Sequence, residues 1–169
     1  MRFLVLSDTH RDLSRMFSAV DYMKALAPDA VIFLGDVVSD AIALKTELHV
    51  PFHIVQGNCD GYSAYPATDV VEAEGVRIFL CHGHQYDVKE SPQRLIWAAQ
   101  ERECTVALFG HTHRPYMDRE DGVLVMNPGS LTRPRLSQAG LAVLDVQKGQ
   151  SKGILLPYHA SDEKNSIFF

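Results

Sequence analysis

What the sequence is short of narrows the field first. Its three cysteines, Cys59, Cys81 and Cys104, are an odd set without CxxC spacing. That argues against a disulfide framework and reads as free thiols in a reducing compartment. Positive charge is also scarce: 16 Lys and Arg face 21 Asp and Glu, a net charge of -5. No broad basic surface is available to hold a nucleic acid backbone by counterion release, so nucleic acid is not the expected partner. No apolar run approaches the length of a membrane span, and Met1 to Leu6 leads straight into strand-like sequence without a charged leader and cleavage site. Internal repeats, low-complexity stretches and linkers are absent as well. The expectation is a cytoplasmic protein with no membrane partner.

What is present is a chain of 169 residues, 46% of them hydrophobic, which suits one compact domain over residues 1–169. Phe3 to Leu6 form an apolar run that stops at Ser7-Asp8-Thr9-His10, as a buried strand ends in a loop. Asp12 can cap a following helix in which Leu13, Met16, Phe17 and Val20 make one apolar face before Pro28 ends it. The pattern recurs with a strand at residues 30–34, a helix around 40–48 and a strand at 52–55 that ends at Gly57-Asn58. Two such crossovers imply parallel pairing.

The second half changes rhythm. A Glu-Gly turn separates runs at 70–74 and 76–81, the signature of an antiparallel hairpin. Ser91-Pro92 starts a helix whose buried face is Leu95 to Ala99, and a strand follows at 105–109. Short β runs at 115–118, 122–126, 140–146 and 153–156 are expected to form a closing antiparallel sheet. From His159 the chain reads as a loosely tied tail, with Ile167-Phe168-Phe169 as a contact patch for a homo-oligomer.

The strand ends share one chemistry: Asp8 and His10, Asp36, Asn58, His82 with His84, and His111 with His113. In an α/β sheet the loops at the carboxyl ends of the strands converge on one crevice. Taken singly, Asp36 or Asn58 is an ordinary turn or cap residue. His111 and His113, one residue apart, point to the same side of an extended segment. Jointly, carboxylate, imidazole and amide oxygen suit Mn²⁺, Fe or Zn²⁺ better than a thiolate zinc cage or a calcium loop. Seven ligands exceed the needs of one metal, whereas two metals about 3.5 to 4 Å apart and sharing a carboxylate are what phosphatases and nucleases use.

Asp8-Thr9-His10, Gly35-Asp36, Gly57-Asn58-Cys59-Asp60, His82-Gly83-His84 and Gly110-His111-Thr112-His113 resemble the successive signature blocks of calcineurin-like metallophosphoesterases. Asn127-Pro128-Gly129-Ser130 followed by Arg133 is similar to the small bacterial and archaeal phosphodiesterase branch, which includes the retromer's metallophosphoesterase-like subunit. The resemblance implies an α/β (α+β) fold, a four-layer αββα sandwich of two mixed β-sheets flanked by helices. It also implies that Asp8, His10, Asp36 and His113 hold one metal and Asp36, Asn58, His82 and His111 the other, with Asp36 as the bridge. Mn²⁺ is the first choice of cation, with Ni²⁺, Zn²⁺, Fe or Mg²⁺ as alternatives.

Asp36, Asn58 and His84 are the candidate catalytic residues, and Cys59, Arg114 and Arg133 the candidate phosphate contacts. Cys59 stands where many members carry histidine, so a leaving-group donor is missing unless His84 compensates. His84 contacts a phosphate oxygen or orients a metal ligand, and Cys59 either faces substrate or fills an apolar gap. Asp60 either hydrogen-bonds Cys59 or a group that supports the ligands or, standing before Gly61, is an ordinary turn residue. The expected reaction is hydrolysis of a small phosphate ester, a diester by preference, through in-line attack of a metal-bridging hydroxide. The alternatives are a non-catalytic scaffold and a phosphomonoesterase or nucleotide hydrolase. No stacking aromatics are arranged near the motifs in the sequence, which disfavours the last.

Overall fold

A computed structural model describes residues 1–159. The tail after His159, with its contact patch, lies outside the described residues. Strands β1 (Arg2–Leu6), β2 (Ala30–Phe33) and β3 (Phe52–Ile54) are connected by three helices: α1 (Leu13–Ser18), α2 (Val20–Ala25) and α3 (Val38–Leu48). β4 (Thr68–Ala73) and β5 (Val76–Cys81) form the expected hairpin. A 3-10 turn at His84–Tyr86, helix α4 (Gln93–Gln100) and β6 (Val106–Leu108) follow. β7 (Pro115–Glu120), β8 (Val123–Pro128), β9 (Gly140–Gln147) and β10 (Gln150–Pro157) complete the order.

These strands make two five-stranded sheets, β10-β9-β1-β2-β3 and β4-β5-β6-β8-β7. Both are mixed: β1, β2 and β3 run parallel with antiparallel β9 at their side, and β5, β6 and β8 run parallel between antiparallel β4 and β7. Alternation along each strand decides the layers. Phe3, Val5 and Ile32 of the first sheet meet Ile78, Leu80, Val106 and Leu108 of the second in a core between the sheets. The other face, Leu4, Leu6, Val31 and Phe33, packs against Met16, Met23, Ala41 and Leu44 of the helices. On the far side, Phe79, Cys81, Ala107 and Val125 pack against Leu95, Ile96 and Ala99 of α4. Two sheets back to back with helices outside are the expected αββα sandwich.

Three local expectations are corrected. The last four strands do not close one antiparallel sheet: β8 inserts beside β6 in parallel, while β9 joins β1 in the other sheet. The hairpins β7–β8 and β9–β10 are local and legible, but β8 is buried along its whole length, and a buried run does not say which sheet receives it. The helix after Asp12 breaks at Ala19 (φ -90, ψ 0). Ser18 there turns its hydroxyl back onto the carbonyl of Arg15, a local bond that competes with the helical ladder. Leu13 and Phe17 stay exposed at 39% each, and Met16, Val20 and Met23 form the buried face. Finally, α4 begins at Gln93 with Pro92 at the N-cap, and the hydroxyl of Ser91 accepts from the Gln93 amide.

A candidate two-metal centre between the sheets

All of the singled-out ligands lie just beyond the carboxyl ends of the parallel strands: Asp8 and His10 after β1, Asp36 after β2, Asn58 after β3, His82 and His84 after β5, and His111 and His113 after β6. The turns are tight. Asp8, His10, Asp36, Val37, His111 and His113 all have positive φ, and Val37, at 85°, is an outlier for a β-branched residue. Such backbone persists only where its surroundings over-determine it. Glycines let the loops close on one another: a Cβ on Gly57 would sit 2.3 Å from Asp36 Oδ1, and one on Gly110 would sit 1.9 Å from the Ser7 hydroxyl.

The geometry of the polar atoms is convergent. His113 Nε2 lies 3.3 Å from Asp8 Oδ1, and His82 Nε2 lies 3.3 Å from Asp36 Oδ1. His10 Nε2 is 3.7 Å from Asp36 Oδ2 and 2.9 Å from His113 Nε2. Donor atoms of Asp8, His10 and His113, of Asp8, Asp36 and His82, and of His10, Asp36 and Cys59 lie within 4.8 Å of one another in each group. Asp36 turns one oxygen toward His82 and the other toward His10, as a carboxylate shared between two cations would. His111 sets its ring 5.1 Å from that of His82, while its amide donates to Asp8 Oδ2. Asn58 is exposed at the rim, and its side-chain amide donates to Cys59 Sγ.

The far nitrogens of the buried histidines are spoken for. His82 Nδ1 contacts the Leu34 carbonyl at 2.7 Å and His113 Nδ1 the Arg133 carbonyl at 2.6 Å. A proton held there leaves each Nε2 lone pair facing the cleft, the tautomer that metal-binding histidines adopt. Asp8 Oδ1 and His82 Nε2 are buried with no hydrogen-bond partner among the described residues. A buried polar atom left unpaired costs about 1–3 kcal/mol, and a cation between these atoms would remove that penalty. The donor set therefore fits divalent metal.

The electrostatics agree. Burial opposes ionisation of Asp36, yet His82 and the Cys59 amide outweigh it and hold its pKa well below the usual carboxylate range. Burial works against protonation of His82, but Asp36 and Asp8 raise its pKa. Burial, then the charges of His82 and Lys89, push His111 down to about 4, so that imidazole is neutral at pH 7. Partial desolvation of the thiol in the cleft and then Asp36 push Cys59 up to about 11. The residue as a whole is exposed, so it fills no apolar gap. His84 leans on the His82 and His111 rings, at 5.6 and 6.0 Å between centroids, with its Nδ1 unpartnered. Arg133 borders a cavity of about 620 Å³ with His10, Arg11 and Cys59, whereas Arg114 lines a different cavity.

A supporting set was not legible in the sequence. The Thr9 hydroxyl and the Arg11 amide both donate to the buried carboxylate of Asp40. Asp60 accepts from the amides of Val37, Val38 and Gly57. Ser130 and Thr132 donate to the Asp8 and Thr9 carbonyls, and Asn127 braces Gly110 and Thr112. Of these, Thr9, Asp60, Thr112 and the Asn-Pro-Gly-Ser run fell within the blocks that carry the resemblance, whereas Asp40 and Thr132 carried no signal.

The fold and this cleft define a metallophosphoesterase. Residues 1–149 match the calcineurin-like phosphoesterase superfamily domain, and the chain belongs to that family. It is 30% identical over 145 residues to a probable metallophosphoesterase of Methanothermobacter thermautotrophicus, covering 84% of each chain. It is 27% identical to a phosphodiesterase of Methanocaldococcus jannaschii, over 92% of this chain and 99% of that one. A predicted phosphoesterase from Streptococcus pneumoniae shares the fold with a TM-score of 0.71 at 29% identity, over 90% of this chain and 96% of that one. Zinc-bound vacuolar protein sorting 29 of Entamoeba histolytica superposes with a TM-score of 0.75 at 20% identity, over 94% and 100% of the two chains, a likeness of fold alone. No helix among the described residues is long and apolar enough to cross a membrane.

Proposed function

We propose that the chain is a two-metal phosphodiesterase acting on a small phosphate ester in the cytoplasm. The observation that supports this most directly is the pair of buried, unpartnered atoms, Asp8 Oδ1 and His82 Nε2, with the His82 and His113 rings pinned from behind. Asp8, His10, Asp36 and His113 would hold one cation and Asp36, Asn58, His82 and His111 the other, with Mn²⁺ first among the candidates. Two such cations supply charge neutralisation at phosphorus and a nucleophile active at neutral pH.

The chain's own residues do the rest. Arg133, with Arg11 beside it, orients the ester from the cavity next to His10. His84, packed against the His82 and His111 rings, is placed to meet a phosphate oxygen held there. Burial and then His82 lower the pKa of His84, so it is a weak proton source. Cys59 is weaker still, its proton held by a thiol whose pKa is about 11. Poor protonation of the leaving group favours stable leaving groups, and this supports a diester over a monoester.

The test is hydrolysis of a chromogenic phosphodiester and its matching monoester by metal-stripped protein after addition of Mn²⁺, Ni²⁺, Zn²⁺ or Mg²⁺. Metal-dependent cleavage of the diester, abolished in Asp36→Asn, is the expected result. No turnover of either ester despite bound metal would overturn the enzyme reading in favour of a scaffold.

A further inference from the structure

Beside the metal loop lies a second cavity of about 420 Å³, bordered by Lys89, Arg114, Arg135, Phe109 and Tyr116. Its cations are unusual for this molecule. Of the ten arginines, Arg2, Arg15, Arg77, Arg94, Arg102 and Arg119 each spend their guanidinium on a carboxylate, carbonyl or hydroxyl. The side chains of Arg11, Arg114, Arg133 and Arg135 make no such bond among the described residues, and all four line the two cavities that border the ligand loops. In a chain of net charge -5, unpaired guanidiniums gathered at one place point to an anion.

Arg114 and Arg135 are tied to the metal loop through their backbones. The Arg114 amide donates to Thr112 Oγ1, which Asn127 also holds, and the Arg135 amide donates to the His113 carbonyl. Lys89 and Arg135 border the same cavity, Lys89 from the segment that precedes α4 and Arg135 from the loop that follows β8. The opposite wall is apolar and flat: the Tyr116 hydroxyl is bound to Glu120 at 2.5 Å, leaving its ring as the contact surface, with Phe109 at 6.1 Å between centroids. Fold geometry thus supplies the aromatic wall that linear spacing did not reveal.

We propose that this cavity is a second phosphate subsite and that the substrate is a small nucleotide diester bearing a further phosphate, of the 5′-phosphorylated dinucleotide class. The proposal rests on the phosphodiesterase reading. One phosphodiester linkage lies at the metal loops, the terminal phosphate is gripped by Arg114, Arg135 and Lys89, and its base lies along Tyr116. The space suits one nucleotide unit, and the acidic surface excludes a long strand.

The experiment measures binding rather than turnover. Full-length protein with Mn²⁺ is titrated into two fluorescent dinucleotides whose methylphosphonate linkage resists cleavage, one ending in a 5′-phosphate and one in a 5′-hydroxyl. Anisotropy is expected to show about tenfold tighter binding of the phosphorylated probe, the scale of one or two charge-assisted contacts. Lys89→Gln/Arg135→Gln should erase that preference, and Arg119→Gln, on the same strand as Tyr116 but with its guanidinium bonded to Ser151 outside the cavity, should keep it. Equal binding of the two probes overturns the proposal. So does a preference that survives in the double variant, since the phosphate would then be going to the metals. Failure of chromogenic diester hydrolysis would remove the enzyme reading and leave this binding preference to stand or fall separately.

Discussion

From the β1-β2-β3 edge of the first sheet the cleft receives both of its carboxylates, Asp8 and Asp36, whereas the β5 and β6 ends of the second sheet supply His82, His84, His111 and His113. His10 is the one imidazole on the carboxylate side, and it reaches across to His113 at 2.9 Å. Neither sheet alone offers a complete set of ligands. The difference explains why the signature is scattered over five loops: a cation held here spans the seam of the sandwich, so each side must contribute. A cation bound there would add a link between two halves that already meet in the apolar layer between the sheets and in loop bonds such as the His111 amide to Asp8 and His82 to the Leu34 carbonyl.

The largest effect should follow from removing the shared carboxylate. Asp36→Asn leaves a side chain of the same shape but without charge, and kcat for the chromogenic diester is expected to fall on the order of 10³-fold or more. A loss below about tenfold would mean that Asp36 does not bridge two cations. Next comes the seam itself. Gly110, on the second-sheet side, stands against Ser7 and Asp8 of the first, and an added Cβ would lie 1.9 Å from the Ser7 hydroxyl and 2.8 Å from Asp8 Oδ2. Gly110→Ala should cost about 3 kcal/mol in urea unfolding, the upper range of overpacking. A loss under about 0.5 kcal/mol would show that the two loops part easily.

Metal should stabilise the joined sheets. At a free concentration about 100 times its Kd, a cation bound only by the folded state adds about 2.7 kcal/mol, or roughly 5–10 °C in Tm for a chain of this size. Asp8→Ala from one sheet and His82→Ala from the other should each abolish the shift, measured by thermal unfolding with and without Mn²⁺. If only one of the two matters, the centre belongs to a single sheet and the comparison fails.

How much of this could be read beforehand follows the same division. Every strand that carries a ligand was legible, because continuous apolar runs such as Phe3 to Leu6 and Val76 to Cys81 end abruptly in polar residues. The candidate ligands were legible because they sit at those ends. The allotment of β8 and β9 to opposite sheets was not, since both are buried runs and pairing is decided by packing far away in sequence. The bracing residues were hidden for a related reason. Asp40 on a helix and Asp60 in a turn look like surface carboxylates until the fold brings the Thr9 hydroxyl and the Val37 amide to them. The unpaired state of Arg114 and Arg135 is likewise a property of the whole surface and not of the run that contains them.

Asp60 offers the smallest and sharpest test of how the first sheet's half is held. Its Oδ1 accepts from the amides of Val37 at 3.1 Å and Val38 at 2.6 Å, and its Oδ2 from Gly57 at 2.6 Å. One carboxylate therefore caps the start of α3, which has no local side-chain cap, and fixes the loop carrying Asp36 to the loop carrying Asn58 and Cys59. It also holds Val37 in its left-handed conformation. Asp60→Ala should cost about 1–2 kcal/mol of stability, as the loss of an N-cap does. It should also weaken Mn²⁺ binding by about tenfold in calorimetric titration, as the loss of an outer support to a metal site does. A stability loss with unchanged affinity would reduce Asp60 to a helix cap, and would show that the carboxylate side of the centre is held by Asp40, Ser130 and the glycine turns without it.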